Sequence, residues 1–155
     1  MKTEDIIASV LNDTFADKTI IAEDINSYQI INISDMNILK ELAENRDKFL
    51  ILTKTDTWQK NDSRQYVLGS MDKLNSFLKE IYEGGCRCTK YRYVSADPEI
   101  EESSGLIEIL DKKEYRPYFE ILYKCRCTLC HTLFDCHAYE DRFGRGHSWS
   151  RSKTL

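Results

Sequence analysis

The sequence predicts an α+β fold, helix-rich over residues 1–85 and β-rich over residues 86–155, with an antiparallel or mixed sheet around a zinc-ribbon-like cysteine cluster. Two observations carry that expectation. Apolar residues recur at helical spacing as far as Gly84-Gly85, and beyond it the period drops to 2, the signature of half-buried strands. The six cysteines fall in tight groups, Cys86-Arg87-Cys88 and Cys125-Arg126-Cys127-Thr128-Leu129-Cys130, with Cys136 and His137 close behind. A chain of 155 residues can bury a core without cross-links, so it reads as one domain, 1–155, with the double glycine as the best hinge for a sub-division into 1–85 and 86–155.

Near the start of the chain, Ile6, Ile7, Val10, Leu11 and Phe15 mark an amphipathic helix over 4–15, with Thr3 as its cap and acids in its first turn. Tyr28 to Ile33 reads as a strand. Ser34 and Asp35 open a second helix with the stripe Ile38, Leu39, Leu42 and Ala43, and the continuous apolar run Phe49 to Leu52 reads as a buried strand. A polar loop, 56–64, leads to a short strand over 65–68. Ser70 caps a third helix carrying Met71, Leu74, Phe77, Leu78, Ile81 and Tyr82, which Gly84-Gly85 stops. Strands are then expected over 86–94, 106–110, 118–127 and 132–139, joined by loops at 97–99, 101–105 and 112–114. An edge strand of this sheet is expected to be open to a partner strand.

Closely spaced thiols are how a small fold builds a tetrahedral zinc site. Cys127 and Cys130, two residues apart on a turn between strands, aim both sulfurs at one point. Cys86 and Cys88 on an extended strand share a face and form the second pair. With 38 residues between Cys88 and Cys127, the spacing exceeds the ~15–20 of a compact ribbon. Cys125, Cys136 and His137 are the substitute ligands. Three states of the cysteines stay open: a structural zinc site, buried reduced thiols, or a disulfide joining Cys86 or Cys88 to Cys125.

The other signals bound the function class. The start of the chain lacks the apolar run of a signal peptide and no stretch approaches the ~18 apolar residues of a membrane span, so the chain is expected to be soluble and cytoplasmic. Residues 1–85 hold 10 Lys+Arg against 15 Asp+Glu, and an acidic protein of pI 5.4 is a poor general binder of nucleic acid. The exception is the basic end, Arg142, Arg145, Arg151 and Lys153 around Trp149, which suits a zinc-ribbon adaptor touching nucleic acid. No catalytic signature is present. No histidine precedes His131, as a zinc deaminase would need, and Cys127-Thr128-Leu129-Cys130 precedes a strand rather than opening a thioredoxin-type helix. The chain is expected not to be an enzyme.

The stretch from Tyr118 to Phe134, followed by Gly144-Arg145-Gly146-His147-Ser148-Trp149, resembles the small immunity proteins of bacterial toxin and immunity pairs, including contact-dependent growth inhibition systems. In some of these, an aromatic-rich Cys-x-x-Cys hairpin is followed by a strand containing Gly and His. Here His131 stands in place of the usual glycine, Phe134 where tryptophan is frequent, and Cys125 and the Cys86 pair are additional. The resemblance implies a cytoplasmic, non-catalytic protein that binds a cognate toxin domain and blocks its active site. Asp97, Glu99, Glu101 and Glu102, expected on an exposed loop, with Tyr91 and Tyr93 beside them, suit such a partner: carboxylates complement a basic cleft and tyrosines anchor interfaces.

Overall fold

A computed structural model describes residues 2–12, 24–52, 62–115 and 119–153. The fold is α+β, helices with a four-stranded antiparallel sheet, and the chain divides into two compact units, residues 1–90 and 91–155.

The first unit is helical: α1 (Thr3–Leu11), α2 (Ser27–Ile31), α3 (Met36–Glu44), α4 (Asp47–Leu52) and the 21-residue α5 (Asp62–Tyr82). α5 packs against α2, α3 and α4, and α1 against α3. Their apolar stripes meet in a core of Ile6, Val10, Ile30, Leu39, Leu42, Phe49, Met71, Leu74, Phe77 and Leu78, all essentially without solvent contact. The stripe of α3 is as expected, and its cap is Asp35, whose carboxylate accepts from the backbone N–H of Asn37 (2.8 Å) and Ile38 (3.3 Å).

Several expectations are corrected here. Residues 28–31 are helical rather than extended, because Asn26 caps α2 by accepting from Gln29 N–H and packing against α5 overrides the β propensity of the isoleucines. The run Phe49–Leu52 is helical as well. Phe49 is fully buried but Ile51 is 63% exposed, the one-sided burial of a surface helix. Residues 65–68 and Ser70 lie inside α5, and Lys2 occupies the cap of α1 in place of Thr3. Tyr82 is exposed, with the Arg46 guanidinium 4.1 Å above its ring. Residues 13–15 of the first expected helix and the loop as far as residue 61 lie outside the described residues.

The double glycine stops α5 as expected. Gly84, at φ +99°, donates to Ile81 O, and Gly85 donates to Glu80 O, the paired bonds of a left-handed helix end. A Cβ on Gly85 would sit 2.7 Å from Glu80 O, so only glycine fits. The chain then enters a 3-10 helix, Arg87–Arg92, and not the expected strand.

In the second unit α6 (Pro98–Ser103) precedes a meander of β1 (Ile107–Tyr115), β2 (Glu120–Cys127), β3 (Leu133–Asp141) and β4 (Gly144–Arg151), ordered β1-β2-β3-β4. The expected loops at 97–99 and 101–105 are thus mostly a capped helix, with 104–105 a turn, the loop at 112–114 is the second half of β1, and Arg145, Trp149 and Arg151 of the basic end lie on the fourth strand. One face of the sheet is buried: Ile107, Tyr123, Cys125, Cys127, Phe134, Cys136 and Ala138. Trp149 stacks on Tyr91 at 4.0 Å and 10°, both edge-on to Phe134, and donates its Nε1–H to Ala96 O at 2.8 Å.

Both outer strands carry a side-chain clip. On β4 the Ser95 hydroxyl accepts from His147 N–H (2.9 Å) and donates to His147 C=O (3.1 Å); on β1 the Glu102 carboxylate accepts from Ile109 N–H (2.7 Å). The expectation of an open edge is therefore corrected at these positions, where side chains take the backbone groups that an added strand would use. Among the described residues no helix is long and apolar enough to cross a membrane.

Candidate metal centre

Cys86 directly follows the glycine stop of α5. Its carbonyl accepts from Thr89 N–H, opening the 3-10 helix that carries Cys88. This turn is braced: Arg87 N–H donates to Met36 Sδ (3.2 Å), the Arg87 guanidinium to Ser34 O (3.2 Å) and Lys90 Nζ to Asn32 Oδ1 (3.2 Å). The pair is thus presented by a 3-10 turn rather than by the extended strand the sequence suggested.

Cys127 ends β2 and Cys130 sits on the turn that leads to β3. Cys127 N–H donates to Thr132 O, and Cys127 O accepts from His131 N–H, closing the turn on itself. Thr128 pins it to the start of β1, its N–H donating to Leu106 O and its hydroxyl lying within hydrogen-bond reach of the Gly105 and Leu106 carbonyls. His131 takes the left-handed conformation, φ +65°, which an L-residue adopts at a cost of ~1–2 kcal/mol. Part of that cost returns on substitution by glycine, whose unfolded state is more disordered by ~0.4–1 kcal/mol. His131→Gly is therefore expected to raise unfolding free energy by about 0.5–1 kcal/mol, and an equilibrium urea titration in which the variant is weaker would contradict the strain.

The sulfurs of Cys86, Cys88, Cys127 and Cys130 all lie within 4.8 Å of one another. A regular S4 tetrahedron with bonds of about 2.3 Å has edges of about 3.8 Å, so each sulfur needs to move inward by about 0.6 Å or less to close on an ion. Cys88 and Cys127 are buried, Cys86 half-buried and Cys130 exposed, with its sulfur 3.1 Å from the Thr132 hydroxyl. These four could hold a metal ion, and the donor set is that of a closed structural site.

The substitutes are not in this group. His137 is on the opposite, open face of the sheet, 3.4 Å from the Glu120 carboxylate. Cys125 and Cys136 point into the buried face as neighbours on β2 and β3, opposite Phe134 and Tyr123. None of the six cysteines forms a disulfide. Burial pushes the thiols of Cys125 and Cys136 from an ordinary 9.0 up to about 12, helped for Cys125 by Glu102 and Asp135 and for Cys136 by Cys125 and Asp97. Both are held as neutral thiols, packed as small hydrophobes.

These two thiols make stability depend on pH in alkali. Below pH 9.0 the folded and unfolded chains both keep these two protons, and the contribution is complete. Between there and about 12 the unfolded chain releases protons that the folded chain retains, so stability falls as pH rises across that window. Urea midpoints measured through the window should decline, and a Cys125→Ala/Cys136→Ala chain should decline less steeply. Equal slopes for the two chains would refute the assignment.

The acidic residues lie on a capped helix rather than the loop expected, with Glu99 and Glu102 exposed as expected and Glu101 buried. Asp97 caps α6, accepting from Glu99 N–H (2.9 Å). Glu99 bonds Lys112 Nζ (3.1 Å) and the Tyr123 hydroxyl (3.2 Å), and raises the pKa of each partner, although burial is the larger cause for Tyr123. Glu101 is 8% exposed and accepts from the Tyr91 hydroxyl at 2.8 Å, with Tyr91 itself buried. Glu102 holds the β1 edge, and Tyr93 is half-buried. The carboxylates thus all have partners within the chain, a role hidden from sequence because Asp97-Pro98-Glu99 fits a turn as well as a helix start.

No protein-family model matches the chain, and neither a curated protein nor a solved structure matches it.

Proposed function

We propose that the four cysteines hold one structural Zn²⁺ and that the chain is a binding protein, an immunity protein that neutralises a bacterial protein toxin by covering its active site. The observation that carries the metal reading is the complete set of four sulfur donors within 4.8 Å. Four thiolates leave no position for substrate, so an ion there would organise the fold around it. The toxin-binding reading rests on the resemblance of the C-terminal quarter to immunity proteins. The β2–β3 hairpin with its Cys-x-x-Cys turn, leading into the Gly- and His-containing β4, is in keeping with it. Cytoplasmic residence belongs to the same reading, since the toxin's target cell must be protected from within.

The nucleic-acid alternative loses one support. Trp149 is committed to Tyr91 and Ala96 and is not presented for base stacking, while Arg145, paired with Glu140 at 2.9 Å, stays exposed. The decisive experiment is co-expression with the secreted toxin domain that this reading requires to be encoded beside this chain's gene. Rescue of growth, with salt-tolerant sub-micromolar binding in vitro, is expected; failure to rescue together with salt-sensitive binding to DNA or RNA would overturn the reading.

A further inference from the structure

The side chains of β1–β4 that alternate with the buried ones form an open face, and the strand register sets them in rows. One row runs Asp111, Lys124, Asp135, Ser150, and the next runs Lys113, Leu122, His137, Ser148. Glu108, Arg126 and Leu133 flank the first row; Tyr115, Glu120 and Tyr139 flank the second. Tyr115 is 45% and Leu122 42% exposed, and a cavity of about 480 Å³ opens over both rows.

The two rows complement each other on β1 and β3, while β2 sets Lys124 beside the apolar Leu122. Asp111 in the first stands beside Lys113 in the second on β1, and Asp135 beside His137 on β3; β4 offers a serine in each. A two-fold axis lying in the plane of the face, perpendicular to the strands and between the rows, sets each row of one copy against the other row of a second copy. Asp111 then meets Lys113, Asp135 meets His137, Ser150 meets Ser148, and the Lys124 stem lies along Leu122. The flanks match in the same operation: Arg126 meets Glu120, and Leu133 meets Tyr139. Every contact occurs twice, as isologous symmetry requires.

We propose that this face is the interface of a two-fold dimer in which two copies stack sheet on sheet. The occupant is a second copy because the charge pattern complements itself under that operation. A two-fold parallel to the strands opposes only one charged pair, Lys124 with Asp135. Lys113–Asp111 at 3.9 Å and Lys124–Asp135 at 3.6 Å are exposed and long and compete weakly, whereas Arg126–Glu108 at 2.6 Å and His137–Glu120 at 3.4 Å would be shared across the interface. Four strands of about eight residues cover about 500 Å² per copy, the low end for a specific interface, so the dimer is reversible. With the edges clipped at Ser95 and Glu102, association through the face leaves the strand ladders untouched. This inference stands independently of the toxin-binding reading.

Sedimentation velocity on the full chain, from micromolar to near-millimolar concentration, tests it. A concentration-dependent dimer is expected. Lys113→Asp should weaken it about tenfold or more by twice opposing like charges, and Asp111→Lys/Lys113→Asp should restore most of the loss. As a readout that does not depend on those variants' stability, a Ser148→Cys chain mixed with a Ser150→Cys chain should be joined by a short bis-maleimide faster than either chain alone. A chain that stays monomeric throughout overturns the proposal, as does a dimer indifferent to Lys113→Asp. A monomer whose Tyr115 and Leu122 are covered by another protein or a small molecule overturns it too.

Discussion

Purified in reducing buffer without chelator, the protein is expected to carry one equivalent of zinc, and Cys88→Ser or Cys127→Ser is expected to lose the metal and the cooperative unfolding transition together. The size of the effect comes from comparing two free energies. A four-thiolate zinc site contributes on the order of 10–16 kcal/mol at neutral pH, whereas a domain's whole stability is about 5–15 kcal/mol. Serine is a poor ligand, and at these two buried positions its hydroxyl would also be left in an apolar setting. Cys136→Ala is the control: it removes an equally buried sulfur outside the cluster and should keep the zinc. Metal analysis and circular dichroism read both outcomes. Less than about half an equivalent of zinc in the wild-type chain would sink the metal reading.

The second large effect is expected at Trp149. Trp149→Ala removes the ring stacked on Tyr91 and edge-on to Phe134 and leaves Ala96 O without its indole donor. Large-to-small changes of this kind cost about 3–5 kcal/mol when the ring is fully enclosed. Trp149 keeps one side toward solvent, so about 3 kcal/mol is the expectation. Trp149→Phe, which preserves the stack but not the hydrogen bond, should lose about 1 kcal/mol. Denaturant titrations of the two variants give the comparison. If both unfold like the wild type, the indole is a surface group and its place in the core of the β unit is wrong.

How much of this was legible in the sequence differs by element. α3 was readable because two signals coincide there, the 3.6 period of Leu39, Leu42 and Ala43 and the capping Asp35. The two central strands are readable from alternation, but β4 and the second half of β1 are not, because their side chains are mostly exposed; the glycine stop is readable from the left-handed geometry that Gly84 adopts. α2 and α4 were not, since short apolar runs of Ile, Phe and Leu fit a buried strand and a helix equally well until packing decides. The four cysteines that cluster were identified from spacing alone. The local geometry of one pair was not: the 3-10 turn at Cys88 depends on the Met36 and Ser34 contacts, which lie more than fifty residues away in sequence. Likewise the acids at 97–102 carry no local mark of their internal partners, because Tyr91, Lys112 and Tyr123 reach them only once the sheet has formed.

The strand order has a consequence for how the chain acquires its structure. In β1-β2-β3-β4 each strand pairs only with its neighbours in sequence, and the turns between β2 and β3 and between β3 and β4 are short. Closing short loops costs little entropy, so the sheet can zip up one hairpin at a time as the chain leaves the ribosome. Hairpin pairing covers strand edges but not faces, so Cys125 and Cys136 are shielded only when the segment carrying Tyr91 packs onto the sheet.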